Sequence, residues 1–394
     1  MNRVFLASFT TFCLLSAVFL IGLSFNVQPV KASGTIYIRV DGSIDPPDAP
    51  ISSFGNITYT LTGSINDSVV VERDNIILDG SGYTLQGTGF WLSTGIDISG
   101  RRQVTIQSVE IRNFGYGIVL EDSSNNTILG NNIANNSEGI RLSHGSSNNT
   151  IARNNITANN NVGVWLYSFN LTISGNNNTI SGNNITSNEY GITLERSSDN
   201  TVAGNNMANN WYGVYLHYSS SNTMSGNNIT ANSGYGILPD SSSNNIILGN
   251  NITANNVDGI YLYGSSNNTI LGNNITANNR YGINLVDSDN NNIYHNNFNN
   301  THQTSSARSE ENAWDNGYPS GGNYWSDYTG VDGDNDGIGD TSYVIEANNT
   351  DNYPLMTLYI IPEFPLFFIL SLFMMATSLA VMVYTRKNKI SDVM

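Results

Sequence analysis

The chain has 394 residues, and its formal net charge of −16 leaves only 15 Lys and Arg. So acidic a chain repels phosphate backbones, which argues against nucleic acid as a partner. Charged residues are only 12% of the total, so solubility has to come largely from Asn, Ser and Thr; the single cysteine, Cys13, lies in an N-terminal apolar run, so the rest of the chain has no disulfide and no thiolate metal site.

Residues 1–33 read as a secretory signal, with Arg3 as the positive start, Val4 to Phe25 as the apolar run and Val30-Lys31-Ala32 as a small-residue cleavage site. An uncleaved signal anchor is the alternative that the length of the apolar run leaves open. Residues 34–68 form an N-terminal cap segment: Thr35 to Val40 alternates like an edge strand, and Asp45-Pro46-Pro47-Asp48-Ala49-Pro50 forms a loop. Such a segment covers the open end of whatever sheet follows, since exposed edges invite pairing.

Residues 69–300 are built on a repeat. Val69-Val70-Val71 and Asn75 to Leu78 begin irregular coils, Gly95-Ile96-Asp97-Ile98 fits the repeat grammar, and full copies start at Gly117, Gly139, Gly163, Gly191, Gly213, Gly236, Gly259 and Gly282, at intervals of 22 to 28 residues. A period in this range means a solenoid, in which each unit buries its apolar face only against its neighbours. Within the copy from Gly259 to Tyr281, inward Ile260 and Leu262 alternate with outward Tyr261 and Tyr263. Ile270 begins a second short strand and Ile275 a third, separated by the turn formers Gly264-Ser265-Ser266-Asn267 and Gly272-Asn273-Asn274. Three strands and three turns make one triangular coil, and stacked coils pair in parallel about 4.8 Å apart.

A leucine-rich repeat has a similar period, but its convex side needs a helix-compatible segment, and Ser-Ser-Asn-Asn and Asn-Ile-Thr-Ala-Asn-Asn favour turns and strands. The fold class is therefore all-β, a right-handed parallel β-helix of about 22–24 residues per coil. Its abundant Asn fits two arrangements, an internal ladder of stacked amides or simple turn chemistry. Extra residues around Phe169 to Asn178 predict a protruding loop, Met207 and Met224 take inward core positions, and the last copy degrades at Ile293-Tyr294-His295-Asn296-Asn297-Phe298.

Residues 301–358 change composition, with Trp314, Tyr318, Tyr324, Trp325, Tyr328 and Tyr343 close together, and read as an aromatic C-terminal cap over the last rung. Residues 359–394 hold Leu366 to Tyr384 without a charge, followed by Arg386, Lys387 and Lys389, which predicts one transmembrane helix with its basic end in the cytoplasm. A buried core helix is the bland alternative. Signal and helix together place the solenoid outside the cell.

The repeats, with Gly317-Tyr318-Pro319-Ser320-Gly321-Gly322-Asn323-Tyr324-Trp325-Ser326-Asp327-Tyr328, Asp336-Gly337-Ile338-Gly339-Asp340-Thr341 and Tyr353-Pro354-Leu355-Met356, resemble the NosD-like family over roughly residues 55–357. The resemblance implies a periplasmic copper-binding type of right-handed β-helix, related to carbohydrate-binding and sugar-hydrolase β-helices. Pro362-Glu363-Phe364-Pro365 before the apolar run resembles the PEF-type sorting signal of archaeal surface proteins, whose tail an archaeosortase recognises and removes. Copper needs convergent His, Met or Cys ligands, whereas His144, His217, His295 and His302 lie in different coils and only the last two can approach each other, so the residues argue against copper.

Asp332, Asp334 and Asp336 with Gly337, Ile338 and Asp340 have the spacing of a calcium loop, although Tyr343 stands where a full loop has its bidentate Glu. A polar turn whose aspartates cap the backbone is the alternative. On the outward face of the first strand, Trp165 with Tyr167, Tyr215 with His217, and Tyr261 with Tyr263 line up with Glu195 and Asp240 between them. Aromatic faces with interleaved carboxylates can stack on and hydrogen-bond sugar rings. The two carboxylates lie two coils apart, about 9.6 Å, near the upper end of the range for an inverting glycosidase. The competing explanation is plain strand propensity of aromatics. Asn-Ile-Thr sequons at Asn155, Asn184, Asn228, Asn251 and Asn274 coincide with the repeat, which leaves Asn56, Asn66, Asn170 and Asn348 as the better glycosylation candidates. The expected function is a membrane-anchored cell-surface β-helix that binds glycans, adheres or builds the envelope. The alternatives are a polysaccharide-active hydrolase, lyase or epimerase using Glu195 and Asp240, and the copper accessory protein that the resemblance implies.

Overall fold

The computed structural model describes residues 34–168, 176–346 and 348–360. The expected signal, the transmembrane helix at 366–384 and most of the loop after Tyr167 lie outside the described residues. Among the described residues there is no helix, and so none long and apolar enough to cross a membrane.

Each coil contributes one strand to each of three sheets, as Ile260–Tyr263, Thr269–Leu271 and Asn274–Thr276 show. The first sheet has 13 strands, the second 12 and the third 11. From Val69 to Ala307 the register is parallel and sets each residue over its equivalent: Ile237 pairs with Ile260, and Ile260 with Ile283. The inward residues form one continuous core in which Ile260, Leu262, Ile270, Ile275, Met207 and Met224 are fully buried. Both ends are closed. Strand Ile36–Ile38 joins the first sheet beside Val69–Val71 and is covered on its outer edge by Ile44–Asp45, antiparallel, while the hairpin Ile51–Phe54 with Thr58–Leu61 closes the second sheet.

The corners explain the Gly-Asn-Asn-Ile motif. Gly226, Gly249 and Gly272 adopt left-handed backbone, with φ of 60 to 63°, and turn the chain from second to third sheet. The first Asn then points inward. Asn227 Nδ2 donates to Asn250 Oδ1 of the next coil and to the Val202 carbonyl of the previous one, both at 2.9 Å, while Asn250 Oδ1 also accepts the Asn227 backbone N–H. The pattern continues through Asn273 to Asn296. Similar buried columns run through Asn222 and Asn245 at the first corner and Asn232 and Asn255 at the third. Of the two arrangements open for the Asn residues, the internal ladder is the one formed, and it works because turn backbone supplies its remaining partners. The second Asn of the motif points outward and builds a separate surface ladder, Asn184 to Asn155 and Asn251 to Asn228, each at 2.8 Å. These are the repeat sequons, whose amides are thus committed to one another.

The repeat glycine is required for a different reason. A Cβ on Gly213 would lie 2.5 Å from the Gly236 carbonyl of the next coil, against backbone that cannot yield.

The register runs on past residue 300, with Thr304–Ala307 on the first sheet and Tyr324–Trp325 on the third. Aromatics stack at this end: Phe298 lies on Trp325 at 4.5 Å and Trp325 on Tyr343 at 4.3 Å. Beneath them, buried Asp351 accepts the Asn323 N–H and the Trp325 Nε1–H, both at 2.8 Å, and the Tyr353 N–H at 3.1 Å. Burial outweighs these donors and pushes its carboxyl up to about 6.

Two measurements check this account. Asn227→Ala, which leaves buried backbone unsatisfied, should cost roughly 2 kcal/mol or more in chemical unfolding, against under about 0.5 kcal/mol for an exposed Asn outside the ladders. Asp351, raised from 3.8 to about 6, holds a proton that the unfolded chain gives up sooner. Its contribution is full below about pH 4 and falls by up to about 3 kcal/mol as pH rises through 6, and Asp351→Asn should flatten that part of the stability profile.

Candidate functional site

The outer face of the first sheet is the most chemically varied surface of the solenoid. A strand such as Tyr212–His217 turns three side chains outward: the residue before the repeat glycine and those two and four after it. Gly213 and Val214 both face inward, so alternation breaks at the glycine. Alternation from the repeat glycine points to the second and third columns; the structure adds the first, which holds Tyr190, Tyr212 and Tyr235. A tyrosine directly before the glycine in several copies was the signal for it.

Parallel stacking brings these rings together. Tyr190 stacks on Tyr212 at 5.0 Å, Tyr212 on Tyr235 at 5.7 Å and Tyr235 on Tyr261 at 5.1 Å. Tyr215 lies 5.8 Å from Tyr190 and 5.7 Å from the His217 ring. Trp165 and Tyr167 meet at 5.6 Å, and Tyr261 and Tyr263 at 6.3 Å. All six predicted aromatic positions therefore sit on one face, over four coil steps or about 19 Å of the axis from Trp165 to Tyr261.

Glu195, His217 and Asp240 occupy successive rungs of the third column. Asp240 Oδ2 accepts from Tyr215 OH at 3.3 Å and lies 3.1 Å from His217 Nδ1, while Oδ1 accepts from Ser241 Oγ at 3.1 Å. A carboxylate only accepts, so His217 Nδ1 is the donor in this contact. Burial, with Asp240 beside it, pushes the Tyr215 phenol well above its ordinary value, so it stays a donor at neutral pH. The Glu195 carboxylate has no hydrogen-bond partner among the described residues.

Toward the N-terminal end the face deepens into a groove of about 590 Å³ lined by Asp97, Glu121, Arg141, Trp165, Tyr167 and Glu195, among others. Arg141 sits over the rings of Tyr116 and Trp165, at 4.3 and 4.7 Å, and is pinned by two 2.8 Å hydrogen bonds to buried Glu138. Among the described residues, two polar atoms beside this groove are buried without a hydrogen-bond partner: Trp165 Nε1 and Thr193 Oγ1, on residues paired in register.

The remaining candidates lie elsewhere. Asp332, Asp334 and Asp336 bring carboxylate oxygens within 4.8 Å of one another, a set of hard oxygen donors suited to calcium. Those carboxylates also accept loop amides, from Asp336 and Gly337 to Asp332 and from Ile338 to Asp336, while Asp340 turns to the Gly333 N–H. The histidines do not converge. His144 lies 2.9 Å from Glu121, His217 is on Asp240, His295 Nε2 meets the Ser320 carbonyl and its ring stacks on Tyr359, and His302 packs on Tyr281. With the aspartate loop the one group of three or more His, Cys, Asp or Glu close enough to share an ion among the described residues, the donors present do not fit copper. Asn56, Asn66 and Asn348 are exposed, and Asn170 lies outside the described residues.

A parallel β-helix with this corner chemistry defines the class. Two family models match the chain: right handed beta helix region over residues 52–207 and periplasmic copper-binding protein (NosD) over residues 170–330. The two matches, which together span residues 52–330, support a NosD-like right-handed β-helix family. No curated protein matches it in sequence. Among solved structures it is similar to the periplasmic alginate epimerase AlgG, at 18% identity over 67% of this chain and 68% of that one, with a TM-score of 0.44. It is also similar to the mannuronan C-5 epimerase AlgE4 A-module of Azotobacter vinelandii, at 17% identity over 65% and 86%, TM-score 0.43. A third similar structure is the DFA-IIIase of Arthrobacter chlorophenolicus A6 without its lid, at 15% identity over 59% and 64%, TM-score 0.46.

Proposed function

We propose that this chain is an exported, membrane-anchored β-helix protein that binds a polysaccharide laid along the outer face of its first sheet. The observation that carries the reading is the run of aromatic rings from Trp165 to Tyr263 in line with the solenoid axis, with carboxylates spaced between them. A polymer with its own repeat matches a surface that repeats about every 4.8 Å. Aromatic faces stack on the apolar faces of sugar rings, and carboxylates accept from their hydroxyls. Export is supported by the N-terminal signal pattern and by the periplasmic description of the family; anchoring is supported by the apolar run and basic tail at the C-terminal end.

A second reading has its own observation. His217, held by Asp240 and one rung from unpaired Glu195, is a candidate general base on the same face. On this reading the protein modifies the polysaccharide as well as holding it.

Co-sedimentation with a panel of insoluble and soluble polysaccharides tests the first reading. Trp165→Ala combined with Tyr215→Ala should weaken binding by about tenfold or more while leaving the fold intact by circular dichroism. Wild-type retention by the double variant would move the site elsewhere. For the second reading, prolonged incubation with the retained polysaccharide should release a product that His217→Ala fails to form; no product from the wild type would leave binding alone.

A further inference from the structure

We infer that this groove takes a polysaccharide free of anionic groups, with one sugar seated over Trp165, Thr193 and Glu195. The inference rests on the glycan-binding reading above and narrows its substrate class. The charge balance of the face carries it. Arg141, the arginine of the groove, gives its Nε–H and an Nη2–H to Glu138, whose carboxylate neutralises it. Further along the same face Arg280 is held at two points by Asp258, and Arg308 at two points by Asp287. His144 and His217 face Glu121 and Asp240. Arg196 stands at the corner of the sheet over the Tyr218 ring. Among the described residues the groove therefore offers an incoming carboxylate or sulfate no cation that lacks an acidic partner, and such groups are recognised chiefly by arginine.

The acids are in the opposite state. Asp97 and Glu195 have no cationic partner among the described residues, and Glu121 has only a histidine. A uronate carboxylate brought to about 4 Å of one of them loses roughly fivefold in affinity even at the dielectric of water. A neutral sugar meets what is present: a ring face on Trp165 and Tyr167, and hydroxyl donors for Glu195 and Asp97.

A second observation marks the seat. Thr193 is only 6% exposed, yet its Oγ1, like Trp165 Nε1 beside it, has no hydrogen-bond partner among the described residues. A buried donor left unmade costs free energy, and here a donor and a hydroxyl of that kind lie in register next to an unpaired carboxylate. As the face stands neither atom is open to solvent, so a sugar hydroxyl or amide carbonyl satisfies Trp165 Nε1–H and Thr193 Oγ1 as those side chains turn toward it. A carboxylate gains the same donor only by approaching Glu195.

Isothermal titration of the full chain with length-matched oligosaccharides tests this, using neutral gluco-, manno- and N-acetylglucosamine oligomers against uronate oligomers at low and high salt. The expected result is binding of at least one neutral series, with uronates at least about tenfold weaker at low salt. That gap should narrow at high salt and in Glu195→Gln and Asp97→Asn, both of which keep their shape. Uronates that bind as tightly as the best neutral series at low salt, or a gap unmoved by both variants, would overturn the inference while leaving glycan binding standing. Absence of binding by every oligomer would instead overturn the glycan reading and this inference with it.

Discussion

Every feature of this chain depends on one constraint: each coil must lie on the next in identical register, so that each residue sits over its own equivalent. The constraint selects side chains that tolerate a copy of themselves about 4.8 Å away. Buried Asn does so because one amide donates to the amide above while its oxygen accepts from two groups below, as at Asn227 and Asn250. Glycine does so because Gly213 leaves room for the Gly236 carbonyl. Isoleucine and leucine do so because stacked aliphatic columns pack to interior density. Stacked charges would repel, which is why so few of the repeat positions are charged.

The same constraint shapes the outer surface. Function on such a scaffold is written in columns, and a residue acquires meaning from what the coils on either side place next to it. Glu195, His217 and Asp240 are unremarkable individually; stacked on successive rungs they form a polar row in which Asp240 accepts from Tyr215 and faces His217. The aromatic rings, which strand propensity alone would scatter, fall into a continuous run because their copies are in phase.

Much of this was legible in the sequence, for a physical reason: a solenoid converts spacing into position. The glycine period located the strands, and Ile260, Leu262, Ile270 and Ile275 were placed inward by alternation, as the structure has them. The tyrosine column at 190, 212 and 235 was not read, because alternation breaks where Gly213 and Val214 both turn inward. Asp258 beneath Arg280 was likewise hidden, since an acid buried by a neighbouring coil's arginine looks like any surface charge in one dimension. The aromatic cap was visible, whereas the buried Asp351 that ties Asn323 to Trp325 depends on a fold-back that no local pattern announces. The unpartnered Trp165 Nε1 and Thr193 Oγ1 are a matter of side-chain geometry, which spacing does not carry.

The most direct test is a crystal structure of the chain with a bound neutral oligosaccharide. The account predicts sugar rings laid along the first sheet between Trp165 and Tyr261, parallel to the solenoid axis and stacked on those rings, with a hydroxyl near Glu195. Ordered sugar on the second or third sheet, or crossing the axis away from these aromatics, would contradict it.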